Sequence, residues 1–232
     1  MNGPRAPVAN AATTISKRAN RWNPNVTTFR FFAYLDRLRW IKRWGLKRNV
    51  IEENVMEHSW QVATIAHALA IIRFEILHQP SSEFSPDEVA TTALYHDCSE
   101  IITGDLPSPI KYHSSTITDA YKRIEDEAEH EILSLLPAPM QPSYRKFLLH
   151  KAIHPEVASL VKAADLISAY LKCQAELHAG NKEFSSAACD IESTIRNLQM
   201  MEVDYFMTNF VQSYQLTLDE LLSQHEPHNG PS

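Results

Sequence analysis

Glycine is scarce in this chain, with 5 in 232 residues, where an average protein carries about 7%. Gly3 and Gly230 lie near the ends, leaving Gly45, Gly104 and Gly180 for the interior. So few glycines exclude a G-x-G-x-x-G dinucleotide fingerprint and a P-loop. They also argue against a hairpin-rich β-sandwich or barrel, whose tight turns favour Asn-Gly and Asp-Gly. Cysteine is equally sparse. Cys98, Cys173 and Cys189 are odd in number, far apart and without C-x-x-C spacing, which points to a reducing, cytoplasmic setting and no disulfide framework. No apolar run approaches the ~18 residues of a membrane span. Positive charge is in deficit, with 22 Lys and Arg against 28 Asp and Glu, so a nucleic-acid polymer is not an expected partner.

What remains is an all-α expectation for a single domain. Residues 1–28 carry Arg5, Lys17, Arg18 and Arg21 but no acidic residue. That composition is shared with organellar transit peptides. Without an evident amphipathic helix, the stretch reads as a disordered basic extension. Residues 225–232 read as a disordered tail, and residues 29–224 as the folded domain.

Helical periodicity fills that domain. The spacing predicts a helix from Phe29 to Arg43, and a second from about His58 with the stripe His58, Val62, Ile65, Leu69, Ile72 and Ile76. A third begins at the cap Ser85-Pro86-Asp87-Glu88, with the inward residues Val89, Ala93, His96, Asp97 and Glu100. The two prolines between Thr103 and Tyr112 predict a loop there. A long helix is expected over Ser115–Leu135. Another starts at Pro155, with Val157, Leu160, Val161, Ala164, Asp165, Ser168 and Leu171 on one face. Two or three more follow from Phe184 to Leu222, and Gly180 reads as a helix C-terminus.

Three of these apolar stripes are interrupted by metal-capable side chains: His58, the pair His96-Asp97, and Asp165. Buried ionisable groups are costly unless paired or coordinating a metal. Three helices presenting them inward predict a metal centre. Two imidazoles with two carboxylates suit Co²⁺, Mn²⁺, Fe²⁺ or Zn²⁺ better than Ca²⁺ or Mg²⁺. Glu100 continues the ligand face, where a carboxylate can act as general acid or base without being a ligand.

The order His58, His96-Asp97, Asp165 resembles the H…HD…D signature of HD-domain metal-dependent phosphohydrolases. NVMEHS (Asn54–Ser59), LYHDCSE (Leu94–Glu100), TGDLPSPIKY (Thr103–Tyr112), LVKAAD (Leu160–Asp165) and DYFM (Asp204–Met207) are similar to the YfbR-type 5′-deoxynucleotidases. The resemblance spans about Phe29 to Leu222. It implies an HD-domain helical bundle, a homodimer, one divalent metal, and hydrolysis of a deoxynucleoside 5′-monophosphate to deoxynucleoside and phosphate. It makes His58, His96, Asp97 and Asp165 metal ligands, with Asp97 and Asp165 also at the substrate, and Glu100 the proton-handling residue. Arg43 becomes phosphate-orienting and Trp44 sugar-contacting, and Asp105, Leu106, Pro107 and Ser108 form a substrate loop. Ser108 stands where the family often has threonine.

Two alternatives stay open at this level. A triphosphohydrolase acting on deoxynucleoside triphosphates would use the same ligands with extra cations, for which Lys111 and Arg48 are candidates. A non-catalytic helical binding protein would show a gap in the constellation, and none is present. Met200 to Leu222 reads either as a dimer surface or as a core-packing helix.

Overall fold

The computed structural model of the chain describes residues 28–223. The disordered segments expected at 1–28 and 225–232 lie outside the described residues, apart from residue 28. Among the described residues there is no strand, only one isolated bridge between Lys42 and Asn54, and no helix long and apolar enough to cross a membrane.

The elements in order are α1 (Phe31–Leu35), α2 (Val55–Ile71), α3 (Pro86–Tyr95), α4 (Glu100–Thr103) and α5 (Ser108–Lys111). Then come α6 (Ser115–Ser134), α7 (Gln141–Leu148), α8 (Pro155–His178), α9 (Ser185–Asn197), α10 (Met201–Asn209) and α11 (Leu218–Ser223). Caps explain the clearest boundaries. Asn54 and Glu57 form a reciprocal capping box at the start of α2, and the Ser85 hydroxyl accepts from the Glu88 amide at α3. The Glu88 carboxylate does not complete a box, because it is 2.6 Å from Lys146. At the end of α8, Gly180 takes φ +84° and the amides of Gly180 and Asn181 bond Leu177 and Glu176 carbonyls, a Schellman ending.

Three expectations are corrected. The first helix stops short of Arg43: α1 tightens into a 3-10 segment, Asp36–Trp40, and Ile41 is extended. The Ile41 carbonyl accepts from Val55 N, and Arg43 N donates to Glu53 O, so pairing with the entry to α2 overrides helix propensity. The third helix ends at Tyr95, and residues 96–99 form tight turns before α4. Finally, the 103–112 loop contains a helical turn, α5, which a proline can open because its missing N–H has no helical partner there.

The main core joins α2, α3, α8, α9 and α10 through Val62, Ile65, Leu69, Val89, Leu160, Ile167, Ile195 and Phe206. Each fully buried Leu or Ile contributes roughly 1.5–3 kcal/mol relative to exposure. A second cluster joins α1, α6 and α7 through Phe31, Ile132, Leu133 and Leu148, with Cys98. Ala93 belongs to the first cluster and Cys98 to the second, so His96 and Asp97 are held where the two meet.

Candidate active site

Four elements converge on one point: α2 brings His58, the turn after α3 brings His96 and Asp97, α8 brings Asp165, and the segment before α2 brings Arg43. The ligand-type atoms of His58, His96 and Asp97 lie within 4.8 Å of one another. Asp165 falls outside that compact group, although its Oδ1 is 3.2 Å from His58 Nε2. Its Oδ2 accepts from Lys162 Nζ at 2.9 Å.

Both imidazoles are fixed by their far nitrogen. His96 Nδ1–H donates to the Ala93 carbonyl at 2.8 Å. His58 Nδ1 is 3.1 Å from Ser168 Oγ, and that hydroxyl donates to Gln61 Oε1 at 2.7 Å, so the serine oxygen accepts from the ring. Each Nε2 therefore carries the lone pair and faces the other ligands. Both Nε2 atoms are buried without a hydrogen-bond partner, despite contacts of 3.6 Å from His58 and 3.1 Å from His96 to Asp97 Oδ2. Orphaned lone pairs beside half-buried carboxylates fit a divalent metal ion, which would offset the desolvation of both.

Electrostatics separate the carboxylates. Burial works against ionisation of Asp97, yet in the metal-free site His96 and His58, when protonated, hold it well below the usual carboxylate range; a dication would take the place of those protons. Asp165 is likewise lowered, burial being outweighed by His58, Lys162 and His96. Glu100 behaves oppositely. Burial first, then the charges of Asp97 and Asp105, push its carboxyl up to about 10 against the pull of Arg43 and Lys111. Its Oε2 is buried and unpartnered. A bound dication would draw this value down.

Arg43 supplies the counter-charge. Its side chain is 13% exposed, with Nη1 3.4 Å from Asp97 Oδ2 and Nε 3.4 Å from Glu53 Oε2. Trp44 follows at φ +60°, a left-handed conformation uncommon for a bulky residue. Its indole packs on Phe184 at 5.3 Å. Asp105 is raised by burial, with Arg43 opposing and Asp97 reinforcing, so it belongs to the same electrostatic group. Leu106 and Pro107 are half-buried and Ser108 is exposed; no hydrogen bond joins their side chains to the cluster.

A cleft of about 500 Å³ opens on His96, Asp97, Glu100 and Asp165, with Lys111 and Lys162 along its wall. Lys111 is taken up by Glu125 at 2.8 Å, and Arg48 by Glu183 at 3.0 Å.

Sequence reasoning missed Glu53, Gln61 and the role of Ser168. Ser168 stood on the apolar face of α8, three residues beyond Asp165, and a hydroxyl there was a readable signal. Glu53 lay in a segment with no periodicity to flag it.

Residues 30–214 match the family described as 5′-deoxynucleotidase, YfbR-like. A 5′-deoxynucleotidase of Vibrio parahaemolyticus is 46% identical over 191 residues, covering 82% of this chain and 97% of the relative. One from Photorhabdus temperata is 49% identical, with 82% and 95% covered. Among solved structures, an HD-domain phosphohydrolase of Listeria innocua superposes with TM-score 0.69 at 24% identity, covering 84% of this chain and 94% of that one. The cyanophage S-2L HD phosphohydrolase bound to dA and one catalytic Zn²⁺ ion gives 0.56 at 20%, with 83% and 99% covered. These likenesses carry the HD-phosphohydrolase fold, and the sequence matches go further: the chain belongs to the YfbR-like 5′-deoxynucleotidase family.

Proposed function

We propose that the His58, His96, Asp97 and Asp165 cluster is the metal centre of a 5′-deoxynucleotidase that hydrolyses deoxynucleoside 5′-monophosphates to deoxynucleoside and phosphate. The observation that carries this is the pair of buried, unpartnered imidazole Nε2 atoms turned toward Asp97 and Asp165. When bound, a divalent ion supplies Lewis acidity toward a phosphoryl oxygen and lowers the pKa of water. Two nitrogens and two carboxylates accommodate Co²⁺, Mn²⁺, Fe²⁺ or Zn²⁺, and of these we take Co²⁺ or Mn²⁺ as the resident ion.

The chain's own residues do the rest. Arg43 orients the phosphate through its planar guanidinium and offsets the negative charge of the acidic cluster. Trp44 stands against the sugar and selects against a 2′-hydroxyl by steric clash. Asp105 accepts from a sugar hydroxyl, since like-charge repulsion disfavours its approach to the phosphate. Leu106, Pro107 and Ser108 complete the loop that closes beside the nucleoside. Glu100 lines the cleft and handles the proton that goes to the departing 5′-oxygen.

The 5′-deoxynucleotidase relatives favour a monophosphate over a triphosphate. The intact constellation favours an enzyme over a binding protein. The catalytic unit is residues 29–224. Three free cysteines support a cytoplasmic setting. The family resemblance makes a homodimer the expected assembly, which sedimentation checks. A screen of the eight ribo- and deoxynucleoside monophosphates with Mn²⁺ and Co²⁺ tests the reading: phosphate release from the deoxy series supports it, and triphosphate release from dATP without it refutes it.

A further inference from the structure

Glu53 joins three parts of the site through one carboxylate. Its side chain is 12% exposed. Oε2 accepts from the Trp44 indole N–H at 2.9 Å and from Arg43 Nε at 3.4 Å, while Oε1 is 3.8 Å from His58 Nδ1. Its carbonyl also accepts from the Arg43 amide, beside the Lys42–Asn54 bridge. The residue supplying the carboxylate is thus strapped to the segment it grips.

Trp44 needs such a grip. Its left-handed backbone is disfavoured and persists only where the surroundings over-determine it. The following loop supplies little apolar anchoring, because Leu46 and Val50 are exposed. Phe184 gives the indole a packing partner at 5.3 Å, but an apolar contact does not fix rotation of the ring. The hydrogen bond to Glu53 does, because it is directional. The same oxygen takes the Nε edge of Arg43, leaving Nη1 on the Asp97 side.

We propose that Glu53 is the positioning residue that sets discrimination between deoxyribose and ribose, by locking the Trp44 indole as the wall at C2′ and orienting the Arg43 guanidinium. This rests on the reading of Trp44 and Arg43 in the preceding section. Glu53 acts through both side chains and contacts neither substrate nor reacting atoms.

The test is the ratio of kcat/KM for dAMP to that for AMP, measured on full-length protein loaded with Mn²⁺. Both substrates are read in one preparation, so a reduced folded fraction cancels. Glu53→Ala is expected to lower the ratio about tenfold or more, the scale of losing a hydrogen bond to a charged group. Glu53→Asp keeps the charge but withdraws the acceptor, and is expected to fall with it if Glu53→Ala does not fold. Glu53→Gln keeps an acceptor at the same reach and should retain most of the ratio. Manganese content by elemental analysis should stay at the wild-type level in all three, separating the effect from His58. A wild-type ratio in Glu53→Ala or Glu53→Asp overturns the proposal, as does a Glu53→Gln variant as unselective as Glu53→Ala. Failure of the unsubstituted protein to hydrolyse dAMP would instead refute the functional reading beneath it.

Discussion

His58 Nδ1 lies 3.1 Å from the hydroxyl of Ser168, inside a core where His58 is 1% and Ser168 0% exposed. Because the Ser168 proton goes to Gln61, the serine oxygen accepts from the ring and fixes the tautomer that leaves Nε2 free. Ser168→Ala removes that acceptor without changing the backbone. Metal affinity of the apo protein, followed by calorimetric titration with Mn²⁺, is expected to fall about 10–100-fold, with helix content by circular dichroism unchanged.

Glu100 separates metal binding from turnover. Its Oε2 is buried and unpartnered, and burial with the charges of Asp97 and Asp105 raises its carboxyl to about 10 in the metal-free site, a value that a bound dication lowers. Glu100→Ala should retain wild-type metal content and lose about 10²–10⁴ in kcat, the range for a general acid or base. Elemental analysis and steady-state phosphate release on the same sample check both halves.

Chelation affects stability as well as activity. The site gathers His58, His96, Asp97 and Asp165 at a buried point, and an ion bound there favours the folded state. At 100 times Kd the gain is about 2.7 kcal/mol. EDTA is expected to lower the melting temperature and abolish phosphate release, and excess Mn²⁺ or Co²⁺ to restore both.

Glu176 carries the pH dependence of a second buried network. Burial pushes its carboxyl up, but hydrogen bonds from Lys172, Asn181 and the amides of Val50 and Ile51 outweigh this and bring it to about 2. A lowered folded pKa stabilises above the unfolded value of 4.5, and that contribution is lost as pH falls from 4.5 through about 2. Glu176→Gln leaves Lys172 charged and 6% exposed, which should cost about 3–5 kcal/mol at pH 7. The variant should then lose less stability than wild type between pH 5 and pH 3. Urea midpoints at the three pH values test both statements.

Gly104 shows what scarce glycine is reserved for. It sits at φ 72°, ψ 167°, a region essentially restricted to glycine, and it turns the chain from α4 toward Asp105. A Cβ there would meet nothing within 4 Å, so the cost of Gly104→Ala is conformational, about 1–3 kcal/mol. A thermal melt should show that loss, and KM for dAMP should rise as Asp105 shifts.

The stripe from His58 through Val62, Ile65 and Leu69 to Ile72 and the apolar face of α8 are legible because burial imposes a 3.6-residue period, and both are buried. Ile76 at the end of the expected stripe is instead 42% exposed, and Asp165 on α8 is half-buried at the cleft. The cap at Ser85 and the glycine after α8 were legible because their chemistry is local. Helical periodicity carries Arg43 onto the first helix, but its conformation depends on Glu53, ten residues away, through the contact of Arg43 N with Glu53 O. No periodic pattern carries such information. The turns at residues 96–99 were hidden for a related reason. A helical repeat and a series of tight turns place His96, Asp97 and Glu100 on nearly the same side. Glu53 and Gln61 act through a neighbour's atoms, and only three-dimensional pairing exposes them.

The most direct measurement is phosphate release from dAMP and AMP by the full-length protein with saturating Mn²⁺, compared with His96→Ala in the same assay. Steady release from dAMP is expected, with much less from AMP and none from either with His96→Ala. Equal rates on the two nucleotides, or a His96→Ala variant as active as wild type, would contradict the proposed function.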